Sequence, residues 1–275
     1  IIDWAGGFLD LVLGITANHG IACDAFQSGW VQAAHSYDLV RLHERRAKVL
    51  QDRGADVEVT DAAGAARILG TDWYKGAFID RRGGRLHPLS YARGLAHAAL
   101  RNGATIHSDT LVWGLRRVEG KWWVEANSGM VIADNVLLAT NAYTDGMGAK
   151  PLIPDMSSSI VALQSYMVAT APLSDNLRKS ILPGGEVVSD YKKLMHHFRI
   201  EKDGSFLFGG RGGLREQETS ASYAPLLQKL GEIFPQLRDA PVKYKWGGKV
   251  AITSDGGPHL HQPAPGLTAV LGCNG

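Results

Sequence analysis

A mixed α/β (α+β) fold is predicted for this chain, with a partial domain on a parallel sheet and a second domain on a mainly antiparallel sheet. The stretches NVLLAT at 135–140 and GLTAVLG at 266–272 have the unbroken apolar character of strands in a parallel sheet. Between them, residues 158–253 have the pattern of strands joined by hairpin turns. We therefore expect the first domain at 72–157 and 254–275, and the second at 1–71 and 158–253.

The first part of the chain alternates helices and strands. An opening amphipathic helix is followed by AFQSGWVQAA at 25–34, which alternates as a strand does. Ser36 is suited to cap a helix that runs to about Asp52, because a serine side chain accepts a hydrogen bond from a free amide of the first turn. A short strand then leads to a helix capped by Thr60 or Asp61.

The middle of the chain contains the clearest helix signal. Pro88 stands at a first turn and Gly103 just past the last apolar position, so a helix is predicted between them. Asn127-Ser128-Gly129 is typical of a hairpin turn between two alternating strands. NVLLAT, which follows, is predicted to be a fully buried strand.

The second half reads mainly as an antiparallel sheet with one helix. The stretch 158–171 is rich in β-forming residues, and Lys202-Asp203-Gly204 is a turn between two strands. A helix is then predicted from apolar residues at helical spacing, and GLTAVLG closes the chain as another buried strand. The apolar helix positions are Leu226, Leu227, Leu230, Ile233 and Phe234.

Composition narrows the functional classes. The 275 residues include 29 basic and 27 acidic side chains, so the net charge of +2 provides no strong field for nucleic acid or an anionic membrane. No apolar run approaches the roughly 18 residues that a membrane helix needs. Cys23 and Cys273 lie far apart without metal-ligand spacing, which favours reduced thiols and a cytoplasmic location, although a single disulfide remains open.

Several short motifs carry little chemical information. FGGRGGL at 208–214 has free amides, but no helix follows it as a dinucleotide fingerprint requires. The adjacent His196 and His197 point to opposite faces of a strand, which predicts one buried and one exposed ring. His259 and His261 would share a face near Asp255, yet we expect no metal site, because the spacing of further ligands is missing.

Four stretches in series resemble one family. They are GGRLHPLSYARGLAHAALRNGATIH, NVLLATNAYTD, HFRIEKDGSFLFGGRGG, and WGGKVAITSDGGPHL leading into GLTAVLGCNG. Together they resemble the FAD-dependent amine and amino-acid oxidoreductases related to D-amino acid oxidase. The stretch GIACDAFQSGWVQAAHS is most similar to their gamma-glutamylputrescine oxidoreductase branch.

The resemblance implies a Rossmann-like FAD-binding domain interrupted by a substrate domain. Members of the family begin with a strand, a G-x-G-x-x-G turn and a helix that hold the FAD pyrophosphate. They continue past a motif like GCNG into a helix directed at the flavin. Neither segment is found in this sequence, so we expect an internal fragment that lacks both.

The resemblance also implies roles for individual residues. Val112 would meet the adenine, the turn at Ala139, Thr140 and Asn141 would lie near the pyrophosphate, and Gly248 would lie near the isoalloxazine. Substrate-side candidates are Tyr191, His197, Arg199 and Lys249, and no catalytic residue is named. The residues implied to contact the pyrimidine edge of the flavin are Gly272, Asn274 and Gly275.

One departure from the family pattern concerns the substrate. Amino-acid-oxidising relatives carry W-x-G-x-R-P-x-T-x-D, whose arginine can clamp a carboxylate, and Val250 stands at that position here. The resemblance therefore implies a small-molecule amine, such as gamma-glutamylputrescine, oxidised by hydride transfer to flavin N5 and hydrolysis of the imine. Gly248 and Lys249 replace the cysteine of covalently linked relatives, so non-covalent FAD is expected.

Two alternatives remain open at this point. In the first, the chain is a non-catalytic scaffold domain without flavin, since the pyrophosphate-binding unit is not found in it. The second is a nicotinamide-dependent dehydrogenase, which the lack of a complete fingerprint disfavours. The substrate, the electron acceptor and the oligomeric state are not specified by the sequence.

Overall fold

The computed structural model describes residues 6–144, 152–153, 156–192, 195–214 and 218–273. Its helices are α1 Phe8–Asn18, α2 Tyr37–Gln51, α3 Ala62–Leu69, α4 Pro88–Arg101, α5 Asp175–Ser180 and α6 Ala224–Ile233. Its strands are β1 Trp30–Ala34, β2 Val57–Asp61, β3 Gly76–Asp80, β4 Val112–Val118, β5 Lys121–Ala126, β6 Gly129–Ala133, β7 Val136–Leu138, β8 Val161–Pro172, β9 Val187–Asp190, β10 His196–Ile200, β11 Ser205–Leu214, β12 Val242–Ile252, β13 His259–Ala264 and β14 Leu267–Leu271. None of the helices in these ranges is long and apolar enough to cross a bilayer.

An eight-stranded sheet has the order β12-β8-β11-β10-β9-β1-β3-β2. β1 and β9 run parallel, whereas β2–β3, β1–β3, β9–β10 and β10–β11 are antiparallel, which confirms a mainly antiparallel sheet. One face carries the largest core, in which Phe198, Phe206 and Phe234 lie with ring centroids 5.0–5.9 Å apart. Buried aromatic rings of this size dominate core energetics.

Two three-stranded sheets have the orders β13-β14-β7 and β4-β5-β6. β7 and β14 are parallel, and Leu138 and Leu271 share a small core with Trp122 of β5. The indole N–H of Trp122 donates to the carbonyl of Pro265 at 3.1 Å, so this buried ring has its polar atom satisfied.

The chain divides into two compact units. Unit 1 comprises 1–106, 166–210 and 219–246, and unit 2 comprises 107–165, 211–218 and 247–275. The sequence predicts that 72–106 belong with the parallel sheet, whereas this division by contacts places them in unit 1. Residues 72–106 belong to unit 1 because β3 pairs with both β1 and β2.

The predicted start and turn signals are confirmed. The Ser36 hydroxyl accepts from the amide of Leu39 and caps α2, and the Asp61 carboxylate accepts from the amide of Gly64 at 2.8 Å and caps α3. Pro88 occupies the first position of α4. The hairpin after β5 pairs Ala126 with Gly129.

The prediction of a fully buried NVLLAT strand is wrong for the observed β7. Leu138 is buried, but the Leu137 side chain is 63% exposed. The physical reason is the position of β7 at an edge: within the described residues it pairs with β14 alone. An edge strand in a small sheet is covered on fewer sides than a central one.

His43 is a buried titratable group in α2. Its ring is 1% exposed, lies 5.8 Å from the rings of Phe78 and Tyr191, and has no hydrogen-bond partner within the described ranges. Burial, with a smaller contribution from the Arg46 charge, lowers the pKa of His43 from 6.5 to about 4.

Acid is therefore expected to destabilise unit 1 through His43. Because the pKa of His43 is lower in the folded than in the unfolded chain, its stabilising effect is complete above the unfolded pKa of 6.5 and is lost as pH falls towards 4. We expect the free energy of unfolding to drop by about 2 kcal/mol between about pH 7 and pH 5 from this group. Urea titrations at both pH values measure it, and in His43→Phe this component should vanish.

Candidate functional site

The carboxyl ends of the parallel strands β7 and β14 form the first candidate region, in unit 2. Val136 lies opposite Leu267 and Leu138 opposite Ala269, so both strands end at the same edge. The segments that follow are Ala139–Thr140 after β7 and Gly272 after β14. In open α/β sheets, ligands bind at this edge, outside the carboxyl ends of the strands.

The Asn141 side chain joins these two strand ends. Its Oδ1 accepts from the amides of Gly272, at 3.0 Å, and Cys273, at 3.2 Å. Its Nδ2 donates to the carbonyl of Cys273 at 2.8 Å. Asn141 itself has φ 44°, a left-handed conformation that asparagine tolerates better than most residues. The side chain thus shapes the turn at Gly272 and Cys273, and we call this turn the 272–273 turn.

Gly248 and Lys249 lie beside the short helical turn Asn141–Tyr143. The Tyr143 hydroxyl accepts from the amide of Lys249 at 3.2 Å, and the Lys249 ammonium lies 5.7 Å from the centroid of the Tyr143 ring. Among the described residues, a Cβ at Gly248 would have only that hydroxyl within 4 Å, at 3.8 Å, so they leave this glycine uncrowded.

The other flavin residues implied by the resemblance are located as follows. Val112 lies in β4, opposite Ala126, in the sheet that does not contain β7 and β14. Its expected contact with adenine stays a prediction. Asn274 and Gly275 lie outside the described residues.

Unit 1 carries a row of residues on one face of its large sheet. Strand register aligns Gln32 with Ser189, Ser189 with His197, and His197 with Gly209. The indole N–H of Trp30 donates to the Ser189 hydroxyl at 3.0 Å. Sequence reasoning found only His197 of this row, because the row joins strands far apart in the chain and has no local motif.

His197 and Gly209 fit together closely. The Nε2 of His197 lies 2.9 Å from the Met167 sulfur. A Cβ at Gly209 would come within 2.1 Å of that sulfur and 2.2 Å of the His197 Nε2. The glycine therefore leaves the space that the imidazole occupies.

Tyr191 and Arg199 differ in how available their side chains are to contact a substrate. The Tyr191 side chain follows β9, is 45% exposed and contacts the His43 ring edge-on. The Arg199 guanidinium is bound to the Glu201 carboxylate at 2.6–2.8 Å. An arginine already paired in this way is less suited to supply a free positive charge to a substrate.

The two adjacent histidines do lie on opposite faces, but the expected contrast in burial is wrong. Both are half-buried. The His196 Nδ1 lies 3.1 Å from the buried Asp190 carboxylate, and its ring stacks on Phe208 at 5.4 Å. His196 thus contributes to the core face, since Phe208 is fully buried there.

The described histidines and cysteines form neither a metal centre nor a disulfide. In the ranges described above, no three His, Cys, Asp or Glu side chains are placed to hold a metal ion. His259 and His261 share a face as predicted, with their rings stacked 5.6 Å apart. Cys23 and Cys273 are both free thiols, the first buried and the second exposed.

The turn in unit 2 has exposed and uncrowded surroundings on its described side. It lies at the carboxyl ends of two parallel strands, and its small residues Ala139 and Thr140 are exposed. The described residues leave Gly248 uncrowded, which lets a planar group approach the backbone. Together with a large antiparallel sheet in a second unit, these features define the class of flavin-binding oxidoreductase folds.

Solved structures agree with this class. Glycine oxidase from Geobacillus kaustophilus superposes with a TM-score of 0.79 at 18% identity, over 98% of this chain and 71% of its own. L-proline dehydrogenase from P. horikoshii gives a TM-score of 0.79 at 19% identity, over 97% of this chain and 72% of its own. At such identities the similarity establishes the fold.

The chain belongs to the FAD dependent oxidoreductase family (DAO), whose model matches residues 2–275. It is 29% identical to the probable oxidoreductase OrdL of Rhizobium meliloti (strain 1021), over 99% of this chain and 64% of that protein. It is 28% identical to gamma-glutamylputrescine oxidoreductase of Escherichia coli (strain K12), over 85% of this chain and 54% of that protein. The chain thus spans 54–64% of the length of these relatives. FAD, the cofactor expected from the sequence, is the cofactor of the family.

Proposed function

We propose that the protein containing this chain oxidises a small-molecule amine with non-covalent FAD. The observation that carries this proposal is the Asn141 side chain, whose three hydrogen bonds join the ends of two parallel strands into one turn. A ligand edge at this turn would meet backbone that is already fixed. Preorganised backbone of this kind reduces the ordering cost of binding.

Specific residues would hold the cofactor. Ala139, Thr140 and Gly248 offer exposed or uncrowded backbone, and Gly272 supplies the turn beside them. Asn141 acts through its support of Gly272, since its side-chain atoms are engaged there. Gly248 and Lys249 carry no thiol, so we expect no covalent bond at these positions. The chemistry that FAD supplies when bound is acceptance of hydride from the carbon next to the amine nitrogen.

The residues proposed for the substrate in unit 1 are His197 and Tyr191, and Lys249 of unit 2 is a separate candidate. The His197 Nε2, beside the Met167 sulfur, can orient the amine or hold its proton. The Tyr191 hydroxyl is on an exposed side chain and can donate to a polar group. The oxidised carbon gives up two electrons and leaves an imine, which water hydrolyses.

The absence of arginine at Val250 supports an amine without a carboxylate on the reacting carbon. Val250 lies in β12 and is half-buried, so an apolar contact replaces the bidentate clamp of amino-acid oxidising relatives. We propose gamma-glutamylputrescine or a similar amine as substrate. The similarity to the Escherichia coli protein of that name supports this choice.

The visible absorption spectrum of the purified chain tests the cofactor proposal. Flavin bands that survive desalting after incubation with FAD are expected. Anaerobic bleaching of these bands by gamma-glutamylputrescine, but not by glycine, is the expected test of the substrate. A colourless chain after desalting would instead favour the scaffold without flavin.

A further inference from the structure

The loop 253–258, which connects β12 to β13, packs directly against the 272–273 turn. A Cβ built on Gly272 would come within 2.6 Å of the Thr253 Cγ2 and 2.7 Å of the Gly257 carbonyl oxygen. Gly272 has φ 84°, a conformation that favours glycine. The 272–273 turn is therefore bounded on one side by Asn141, which follows β7, and on another side by the loop 253–258.

The loop holds its shape through internal hydrogen bonds. The Thr253 hydroxyl donates to the Gly257 carbonyl at 2.8 Å, and the Gly256 amide donates to the Thr253 carbonyl at 3.2 Å. The Gly257 amide donates to Asp255 Oδ1 at 3.2 Å. The carbonyl of Gly257 thus lies against Gly272, while its amide is hydrogen-bonded to the Asp255 carboxylate.

His259 completes this chain of contacts from the neighbouring strand. Its Nε2 lies 2.9 Å from Asp255 Oδ1, so an Nε2–H donates to the same oxygen that receives the Gly257 amide. Hydrogen bonds from His259, first, and from Gly257 lower the pKa of Asp255 to about 2, so the carboxylate stays ionised at ordinary pH. A hydrogen bond to an ionised acceptor is stronger than one between neutral groups.

The location of His259 links the loop to the strand that ends at the turn. His259 is the first residue of β13 and lies opposite Leu271, the last residue of β14 and the neighbour of Gly272. Its ring also stacks on His261, which limits its rotation. One side chain thus connects β13, the loop and, through Gly257, the 272–273 turn.

We infer that His259 is a positioning residue for the 272–273 turn, acting through Asp255 and the 253–258 loop. Its importance for FAD binding rests on the proposed function, whereas its effect on the turn does not. Without the His259 hydrogen bond, Asp255 and Gly257 are held less firmly, and the surface that bounds Gly272 becomes less defined. The ligand edge would then be ordered only on binding, which weakens affinity.

Paired substitutions test this inference on the full chain. His259→Leu removes the donor, His259→Gln keeps an N–H near the Nε2 position, and His261→Leu is the control for ring stacking and strand propensity. Amide exchange of Gly272, followed by NMR without FAD, should accelerate about threefold to tenfold in His259→Leu. It should stay near the unmodified rate in His259→Gln and change less in His261→Leu.

FAD titration by flavin fluorescence supplies the second measurement. The dissociation constant should rise about threefold to tenfold in His259→Leu and return towards the unmodified value in His259→Gln. Equal acceleration of exchange in His259→Leu and His261→Leu, or no acceleration in either, would overturn the inference. If the unmodified chain binds no FAD, the proposed function fails, while Gly272 exchange still decides whether His259 positions the turn.

Discussion

Replacing Gly272 with alanine is expected to weaken the proposed FAD binding and to destabilise unit 2. The new Cβ would lie 2.6 Å from the Thr253 Cγ2 and 2.7 Å from the Gly257 carbonyl oxygen, and the second of these atoms is backbone that cannot rotate away. The left-handed φ of 84° adds a penalty of about 1–2 kcal/mol for alanine. Overpacking costs about 1–3 kcal/mol more.

Gly256→Ala is the matched control for this change. Gly256 also has a left-handed φ, 74°, yet a Cβ there would have no atom of the described residues within 4 Å. In Gly256→Ala the free energy of unfolding should fall only by the conformational penalty of about 1–2 kcal/mol. Its FAD affinity should stay within a few-fold of the unmodified value. Urea unfolding and FAD titration of both variants separate strain from close packing. Equal losses of unfolding free energy and of FAD affinity in the two variants would show that close packing of Gly272 against the loop contributes to neither.

Gly209→Ala is expected to raise the KM for the amine roughly tenfold, with little effect on FAD affinity. The added methyl group would overlap the Met167 sulfur and the His197 Nε2, at 2.1 and 2.2 Å. Both atoms belong to movable side chains, so the imidazole shifts and the fold survives. The three atoms nearest to that Cβ belong to Met167 and His197, which are not proposed to hold FAD, so cofactor affinity should be preserved.

The adjacent glycine provides the comparison. A Cβ at Gly210 would be 3.0 Å from Leu226 and 3.2 Å from the His196 ring, which belongs to the core face of the sheet. Gly210→Ala should therefore cost stability without raising KM. Steady-state kinetics of the flavin-loaded protein, together with thermal unfolding, distinguish the two. An unchanged KM in Gly209→Ala would argue against a substrate role for His197.

Local sequence signals determined most of the secondary structure. Ser36, Asp61 and Pro88 begin their helices as predicted, because capping depends on atoms within one turn of the chain. The turn at Lys202-Asp203-Gly204 likewise separates β10 from β11. Parallel pairing of β7 with β14 was indicated by their apolar composition, although the exposure of Leu137 was not, since edge position depends on neighbouring strands.

The site was only partly predictable. Asn141 and Gly272 were identified by family resemblance, but the three hydrogen bonds between the two strand ends connect residues 131 and 132 positions apart. The sequence does not indicate the pairing of Arg199 with Glu201, although the residues are close in the chain, because side-chain pairing depends on which face of the strand is covered.

The sequence by itself determined the family, the strand and helix signals and the residue types available for a flavin edge. Tertiary structure alone decided that Gln32, Ser189, His197 and Gly209 form one row, and that loop 253–258 bounds Gly272. The physical reason is that strand register and close packing join segments far apart in the chain. Local composition and spacing carry no record of such contacts.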